Sequence, residues 1–234
     1  MTRSLLIPLV GPLQAWGLDS RFGLRQSAAE PSKSGVLGLC CAALGRDRSE
    51  AIDDLASLIF GVRIDREGIP TRDFHTAMDV IGASGTDLRT VVSNRWYLAG
   101  AAFLAGLQGP TLLLEAIHGA LHHPHWPLTL GRRSCPPSVP LGSVGIVDFP
   151  LQEALLQAQP LVSDVAHFRL VIEDPEGSQT RPDQPVAPFS LRKFGMRRVR
   201  TLVVPAGTDP LERDSIRNLN DDDLPNEHPW TATP

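Results

Sequence analysis

Residues 11–45 read GPLQAWGLDSRFGLRQSAAEPSKSGVLGLCCAALG, and the rest of the chain is organised around this stretch. The apolar run that precedes it, SLLIPLV at 4–10, predicts a buried strand. The second half of the 11–45 stretch has apolar residues at helical spacing, with Ser34 as the expected N-cap and Gly45 as the residue that ends the helix. The turn-prone loop between strand and helix carries Gln14, Trp16, Arg21, Arg25 and Lys33.

A strand, a basic loop and a helix N-terminus place cations, backbone N–H groups and an indole on one rim. This combination suits a phosphodiester strand with an unstacked base. The helix start, within the turn Ser32–Gly35, is the first expected phosphate site. A second interpretation remains open, in which the stretch is a Gly-rich connection and Trp16 fills the core.

Length, charge and cysteine content bound the possible functions. The 234 residues fit one large domain or two small ones. The net charge of −4 argues against nucleic acid, but residues 205–234 hold seven acidic and two basic residues, which leaves 20 basic and 19 acidic residues elsewhere. Three cysteines lack disulfide or zinc spacing, and no membrane-length apolar run or secretory signal is recognisable. We therefore expect a cytoplasmic protein with no cofactor, no metal and no membrane partner.

Hydrophobic periodicity predicts the fold class. Helices are predicted at 34–44, 50–60, 113–121 and 151–158, and strands at 62–65, 73–80, 90–93, 96–107, 142–149, 167–173 and 199–204. With the first strand, this order predicts an α+β fold with a ferredoxin-like (RRM-like) βαββαβ body. The predicted domain covers 1–204, with a projecting β-hairpin at about 78–93 and extra C-terminal strands within 150–204. The acidic tail, 205–234, is predicted to be disordered.

A second basic cluster lies at 130–137, which reads LGRRSCPP. Adjacent arginines in a loop bounded by Gly and Pro can bind neighbouring phosphates through charge-assisted hydrogen bonds. Arg132, Arg133 and Ser134 are therefore candidate contacts for a phosphodiester strand. The alternative is a solvated loop in which an arginine pairs with a carboxylate.

A third basic segment, FSLRKFGMRRVR at 189–200, interleaves five basic residues with Phe189 and Phe194. Such interleaving suits a single strand of nucleic acid, because stacking is worth roughly 1–3 kcal/mol per base. Arg192 and Arg197 are the candidate contacts here. An ordinary exposed edge strand explains the pattern equally well.

The histidines give weaker signals. His75, in DFHT at 73–76, has three open roles: acid or base in RNA cleavage, hydrogen-bond partner of RNA, or structural residue. His122, His123 and His125 follow a helix end without a carboxylate or cysteine at ligand spacing, which favours a solvated loop over a metal site. The sequence contains neither a GxxxxGK[ST] nor a GxGxxG motif, and it lacks the aromatic RNP signature.

Several motifs, taken in order, resemble a known family. They are GPLQAWG at 11–17, PSKSGVLGLCCAALG at 31–45, FGVRID at 60–65, DFHT at 73–76, SNRWYL at 93–98 and LGRRSCPPSVPL at 130–141. Over residues 4–150 the chain is similar to the Cas-five family, the CasD-type subunits of type I-E CRISPR Cascade within the repeat-associated RNA-binding (RAMP) superfamily. Residues 192–197 also resemble the family, but less closely.

The resemblance implies a ferredoxin-like body whose hairpin acts as a thumb. It also implies an antiviral role, in which the chain holds the 5′ repeat-derived handle of the CRISPR RNA. The implied partners are this RNA, the Cascade large subunit, the repeated backbone subunits and, through the complex, target DNA. Carried over by motif, RNA contacts fall on Gln14, Trp16, Arg25, Ser32, Lys33, Ser34, Gly35, His75, Arg95, Arg132, Arg133 and Ser134, and the basic segment adds Arg192 and Arg197.

Family members differ in chemistry. In type I-C relatives the Cas-five protein cuts precursor RNA, whereas in type I-E systems a separate subunit does so. No His, Lys and Tyr cleavage set can be assembled here, because Lys33 is the only lysine in the first 190 residues. We therefore expect a non-catalytic RNA-binding subunit. The alternative is a metal-independent endoribonuclease that uses His75.

Overall fold

The computed structural model describes residues 2–17, 24–82, 85, 87–163, 165–206 and 217–218. It has a mixed α/β fold in which antiparallel pairing dominates two sheets. The strands are β1 (Ser4–Val10), β2 (Leu13–Gln14), β3 (Leu24–Arg25), β4 (Ile59–Arg66), β5 (Ile69–Ile81), β6 (Leu88–Ala99), β7 (Ala102–Gln108), β8 (Gly145–Val147), β9 (His167–Glu173), β10 (Gln179–Pro185), β11 (Phe194–Pro205) and β12 (Arg217–Asn218). The helices are α1 (Lys33–Leu44), α2 (Asp53–Ala56), α3 (Thr111–His122) and α4 (Leu151–Gln157), and Phe189–Leu191 forms a 3₁₀ turn.

The large sheet has the order β10-β11-β9-β4-β7-β1-β8, and β12 adds to β11. The neighbouring strands β1 and β7 are apolar along almost their whole length because both faces are covered. Residues of α1 and α3 belong to the main core cluster on one face, whereas α4 belongs to a second cluster with Leu6, Leu104 and Leu170. β8 pairs only with Ser4–Leu6, so β1 has an open side at Pro8, as a residue without an N–H requires.

Several predicted boundaries were wrong, among them the following three. The predicted helix at 50–60 is reduced to α2, and β4 starts at Ile59, because Leu58 and Phe60 turn into the core. The predicted strand at 96–107 is split at Gly100, which has a φ of 68° and carries the chain from one sheet to the other. The N-cap of α1 is Ser32, whose Oγ accepts from the N–H of Gly35 at 3.2 Å, and not Ser34.

The second sheet is built around a long hairpin. β5 and β6 pair antiparallel from Ile69 opposite Ala99 to Ile81 opposite Leu88, so the hairpin extends well beyond the expected 78–93. β2 and β3 pair with β6 at its base, the latter in parallel. The hairpin strands are mostly exposed, whereas Tyr97 and Leu98 at the base belong to the core.

The C-terminal part adds strands to one edge of the large sheet. β9 spans the predicted residues, and β11 begins five residues earlier than predicted. Residues 174–188, a polar and Pro-rich segment between two predicted strands, are not only a connection, because they contain β10, which pairs with β11. Most of the predicted disordered tail, 205–234, lies outside the described residues; within it, Arg217 and Asn218 pair with β11. No helix among the described residues is long and apolar enough to span a membrane.

One buried arginine ties the sheet to α4. Arg63 has no solvent exposure, and its Nε and Nη2 donate to Asp65 at 2.7 and 2.9 Å. Its Nη1 donates to the carbonyl oxygens of Leu155 and Ala158 at 2.5 and 2.6 Å, where α4 ends. The guanidinium also lies 4.3 Å from the ring centroid of Phe168. Arg63 therefore supplies donors to helix-end carbonyl groups that would otherwise lack partners.

Candidate nucleic-acid interface

A cleft of about 770 Å³ joins the three basic segments of the sequence. Its walls come from the 11–45 stretch, from the loop that contains 129–133, and from 189–194. Among the described residues, six arginines and one carboxylate, Asp47, line it; the arginines are Arg25, Arg46, Arg48, Arg132, Arg133 and Arg192. Residues far apart in sequence are thus brought into a single positively charged cleft.

These six arginines are not equally available to a ligand. Arg46 is engaged by Asp54, with an Nη1 to Oδ1 distance of 2.7 Å, and this contact raises its pKa. The side chains of four others are exposed, namely Arg25, Arg48, Arg133 and Arg192. Arg192 follows the 3₁₀ turn with a φ of 48°, and the turn brings it to the cleft beside Phe194.

Arg132 holds the cleft together. Its Nη1 donates to the carbonyl oxygen of Trp96 and its Nη2 to that of Arg25, both at 2.9 Å. Its guanidinium lies 4.7 Å from the ring centroid of Tyr97. Because most of its donors are directed at protein groups, Arg132 fixes the 130–137 loop against the base of the hairpin, and Arg133 next to it is exposed.

Gln14 and Trp16 are buried, and Trp16 lies beneath the surface of the cleft. Trp16 is only 1% exposed, and its Nε1 donates to Oε1 of Gln14 at 3.0 Å. Gln14 in turn donates to the carbonyl oxygens of Leu9 and Ala101. The expected base stacking by Trp16 is therefore corrected: the indole fills the core, as the alternative interpretation held. It supports the cleft from below, since a Cβ on Gly35 would lie 3.0 Å from its ring.

The start of α1 carries an internal anion. The backbone N–H of Lys33 donates to Oδ2 of Asp183 at 2.7 Å, and Asp183 also accepts two hydrogen bonds from Arg197 at 2.8 and 3.0 Å. A carboxylate of the protein thus takes part of the predicted phosphate site. Arg197 is 5% exposed, so the expectation of direct RNA contact is corrected for this side chain too.

Lys33 is likewise internal. Its side chain is 1% exposed, and Nζ donates to Oε2 of Glu173 at 2.9 Å. Burial lowers the pKa of Lys33 more than the pairing with Glu173 raises it. The sequence predicted a cation on the rim, whereas the structure buries it between α1 and β9. Ser34 and Gly35 remain at the cleft wall, as does the capping residue Ser32.

The remaining predicted contacts lie on or near the hairpin, outside the cleft wall. His75 is exposed on β5, with Nε2 2.8 Å from Oδ2 of Asp73. Arg95 stands opposite Arg25 in the register of β6 and β3, and its Nε is 3.3 Å from Oγ of Ser93. Ser134 is exposed beside the cleft, its Oγ 3.4 Å from the Tyr97 hydroxyl.

The cleft also contains an aromatic residue that sequence reasoning missed, Trp126, together with one that it proposed, Phe194. Trp126 is 42% exposed and meets His125 edge to face at a centroid distance of 4.7 Å. Phe194, also 42% exposed, lies on the cleft wall with it. The signal was present in HHPHW, but that string was assigned to a solvated loop. Two half-exposed aromatic rings among arginines offer faces on which a base could stack, which the buried Trp16 does not.

The cleft wall includes a thiol, but not an activated one. Burial raises the pKa of Cys41 to about 11. At neutral pH the group is therefore protonated and a poor nucleophile. Among the described residues the three cysteines are free and buried.

The comparisons with known proteins agree with this arrangement of motifs. The family described as "CRISPR-associated protein (Cas_Cas5)" matches residues 4–200. The chain belongs to this family. The predicted resemblance is thereby confirmed, and the match ends before the acidic tail begins.

One curated relative and two solved structures align with most of the chain. "CRISPR system Cascade subunit CasD" of Escherichia coli (strain K12) is 33% identical over 185 residues, which cover 70% of this chain and 81% of the relative. A solved structure described as "Crystal structure of Cas protein" is 43% identical with a TM-score of 0.70, covering 87% of this chain and 95% of the other. A chain of a "CRISPR RNA-guided surveillance complex" is 31% identical, also at 0.70, with coverages of 87% and 90%.

Proposed function

We propose that this chain is a non-catalytic CRISPR RNA-binding subunit of a Cascade-type surveillance complex, and that its cleft clamps the 5′ handle of the RNA. The proposal extends the family membership, since similar chains carry the names of a Cascade subunit and of an RNA-guided surveillance complex. The observation that carries it is the cleft itself. Four exposed arginines and two half-exposed aromatic rings line one cavity of about 770 Å³.

The geometry suits a single-stranded RNA end. Arg25, Arg133 and Arg192 come from three different segments, so an extended phosphodiester chain can meet them in succession. Arginine binds phosphate through paired N–H groups, and splayed bases stack on aromatic faces. Trp126 and Phe194 supply those faces.

We also propose that the body is ferredoxin-like. β1, β4, β7 and β8 form the order β4-β7-β1-β8 with antiparallel pairs, and α1 and α3 follow β1 and β7 in the chain. This is the strand order of a split βαβ unit with two crossover helices. On this proposal the hairpin of β5 and β6 is an insertion between the second and third strands of the unit.

The role is proposed as binding without catalysis. His75, the only candidate acid or base that the sequence offered, lies on the hairpin and not on the cleft wall. The basic groups on that wall are arginines, which stay protonated and cannot act as general bases near neutral pH. Lys33 is paired with Glu173 in the interior.

Co-expression with a CRISPR array and the other Cascade subunits tests this function. The chain should co-purify with RNA whose 5′ end carries the repeat-derived handle. Purified chain incubated with repeat RNA should bind it and leave it intact. If the RNA were cut at one site and His75→Ala abolished the cut, the endoribonuclease alternative would replace the clamp.

Trp126→Ala is expected to weaken RNA binding by about tenfold. The reason is the loss of one stacking surface, which is worth roughly 1–3 kcal/mol per base. Fluorescence anisotropy with labelled handle RNA measures the change, and Trp126→Phe should recover part of it. Because Trp126 is exposed in the cleft, the melting temperature should stay near that of the parent chain. An unchanged affinity would remove Trp126 from the proposed interface.

The hairpin offers a surface for the neighbouring subunits. The β5 and β6 register places four large apolar side chains on one face, all at least 44% exposed: Phe74, Ile81, Leu88 and Val92. The opposite face carries Asp73, His75 and Arg89. An exposed apolar face of this kind marks a protein contact. The proposed occupants are the adjacent backbone and large subunits, with target DNA reached only through the complex.

Phe74→Asp with Leu88→Asp is expected to impair assembly into the complex by tenfold or more. The isolated chain should keep its melting temperature, since both side chains are about two-thirds exposed, at 65% and 66%. Ala77→Asp, on the opposite face, adds one aspartate in place of two and serves as the control for added negative charge on the hairpin. Size-exclusion chromatography of the reconstituted complex measures incorporation. Normal assembly of the double variant would exclude this face as the docking surface.

A further inference from the structure

Two histidines of α3 lie together beside the loop that leads into β8, and neither lines the arginine cleft. His118 and His122 are four residues apart on the helix, with 3.1 Å between their Nε2 atoms. Nε2 of His118 is also 3.1 Å from the carbonyl oxygen of Gly142. The rings meet at an interplanar angle of 75°, with centroids 4.8 Å apart.

The loop before β8 is shaped to admit these rings. A Cβ on Gly142 would lie 2.8 Å from Nε2 of His122, and one on Gly145 would lie 3.2 Å from Nε2 of His118. Gly145 also has a φ of 85°, which side-chain-bearing residues rarely adopt. The imidazoles therefore occupy space that the two glycines leave open.

No tautomer of two neutral imidazoles gives both Nε2 atoms and the Gly142 oxygen a hydrogen bond of their own. A neutral imidazole nitrogen carries either one proton or one lone pair. If His118 Nε2 bears the proton, it must be shared between the Gly142 oxygen and His122; if His122 bears it, the His118 lone pair faces the carbonyl oxygen. A cation placed between the nitrogens would accept both lone pairs at once.

We propose that His118 and His122 form a binding site for a divalent transition-metal ion of the zinc, nickel or copper class. Two imidazole nitrogens at 2.0–2.1 Å from one ion stand roughly 2.9–3.4 Å apart for angles near 90–110°, and the observed separation of 3.1 Å falls inside this interval. Imidazole is a preferred ligand of these ions. His122 is exposed, so water completes the coordination, and the Gly142 carbonyl oxygen is a neighbouring hard donor.

The ion would fasten α3 to the edge of the large sheet, because the Gly142 loop leads directly into β8. From the sequence, a metal site of His122, His123 and His125 was weighed against a solvated loop, and the loop was favoured. The structure instead places His118 next to His122. No group of three or more His, Cys, Asp and Glu side chains with metal-site geometry occurs in the described part of the chain. The site is therefore expected to be exchangeable.

Titration calorimetry of the tag-free, chelator-treated chain with Zn²⁺ and with Ni²⁺ tests the proposal. One ion per chain should bind, and His122→Ala and His118→Gln should each lower the affinity at least tenfold. His118→Gln retains an amide donor for the Gly142 carbonyl oxygen, which protects the fold. Saturating ion should raise the melting temperature of the parent chain by a few degrees, but not that of His122→Ala.

His123→Ala and His125→Ala are the matched controls, since both residues follow the same helix end. Their affinities should equal that of the parent chain. The proposal is overturned if no ion binds, if His122→Ala binds as tightly as the parent, or if His118→Gln has no effect while His125→Ala abolishes binding. The last result would assign the ion to the loop.

Discussion

Replacing both Arg133 and Arg192 by glutamate is expected to weaken binding of handle RNA about a hundredfold. Both side chains are exposed on the cleft wall, and they come from segments about 60 residues apart in the sequence. A hydrogen bond to a charged group contributes about 1.5 kcal/mol or more, so each lost contact corresponds to roughly a tenfold change in Kd. The fold should persist because neither guanidinium is buried.

The salt dependence separates this effect from a loss of structure. Each phosphate neutralised on a single strand contributes roughly −0.7 to the log–log slope of affinity against salt, so the slope should become shallower by about 1.4. Arg198→Glu is a matched control: Arg198 belongs to the same basic segment and is exposed, but it does not line the cleft. Anisotropy titrations at several salt concentrations measure both quantities. A double variant with the parent's affinity and slope would refute the assignment of the cleft.

Arg132 has a structural role that makes it unsuitable for this test. Charge reversal there would remove its hydrogen bonds to the carbonyl oxygens of Trp96 and Arg25. Loss of binding in an Arg132 variant would therefore mix a change of loop position with a change of contact. Arg133 and Arg192 test contact alone.

Arg63→Met is expected to lower the free energy of unfolding by about 3–5 kcal/mol. The substitution leaves the Asp65 carboxylate buried without its cation, which is the costly way to break a buried ion pair. It also removes the donors to the carbonyl oxygens of Leu155 and Ala158 at the end of α4. For a chain of this size, such a loss lowers the melting temperature by roughly 10 °C.

Thermal unfolding followed by circular dichroism measures the Arg63 effect. Arg3→Met is the control, since Arg3 also forms two ion pairs, with Glu115 and Asp148, but on the surface, where such pairs contribute little. Arg63→Lys should give an intermediate melting temperature, because an ammonium group lacks the planar fork that reaches both Asp65 and the helix end. A parent-like melting temperature for Arg63→Met would show that Asp65 and α4 are held by other contacts.

The pattern of apolar residues was enough to predict most of the large sheet. β1 and β9 begin and end where predicted, and α1 and α3 lie where helical spacing put them. These elements are stable for local reasons, because burial on both faces requires a continuous apolar strand and burial on one side requires helical periodicity. The errors fell where tertiary contacts override local preference, as at Leu58 and Phe60.

The exposure of the basic residues, in contrast, could not be predicted from local sequence. Nothing local distinguishes Lys33 from Arg25, or Arg197 from Arg192, yet one member of each pair is buried and the other exposed. The partners that decide this are remote: the N–H of Lys33 meets Asp183, 150 positions away, and its side chain meets Glu173.

The sequence alone thus determined the family, through motifs in a fixed order, and the elements whose stability depends on local apolar patterning. Only the tertiary structure decided which charges are available to a ligand, since the ion pairs of Lys33 and Arg197 form between segments that meet only after folding. The exposed indole of the cleft was also decided by the tertiary structure, because exposure depends on what packs above a residue. The sequence predicted Trp16 in this role, whereas the structure buries Trp16 and exposes Trp126.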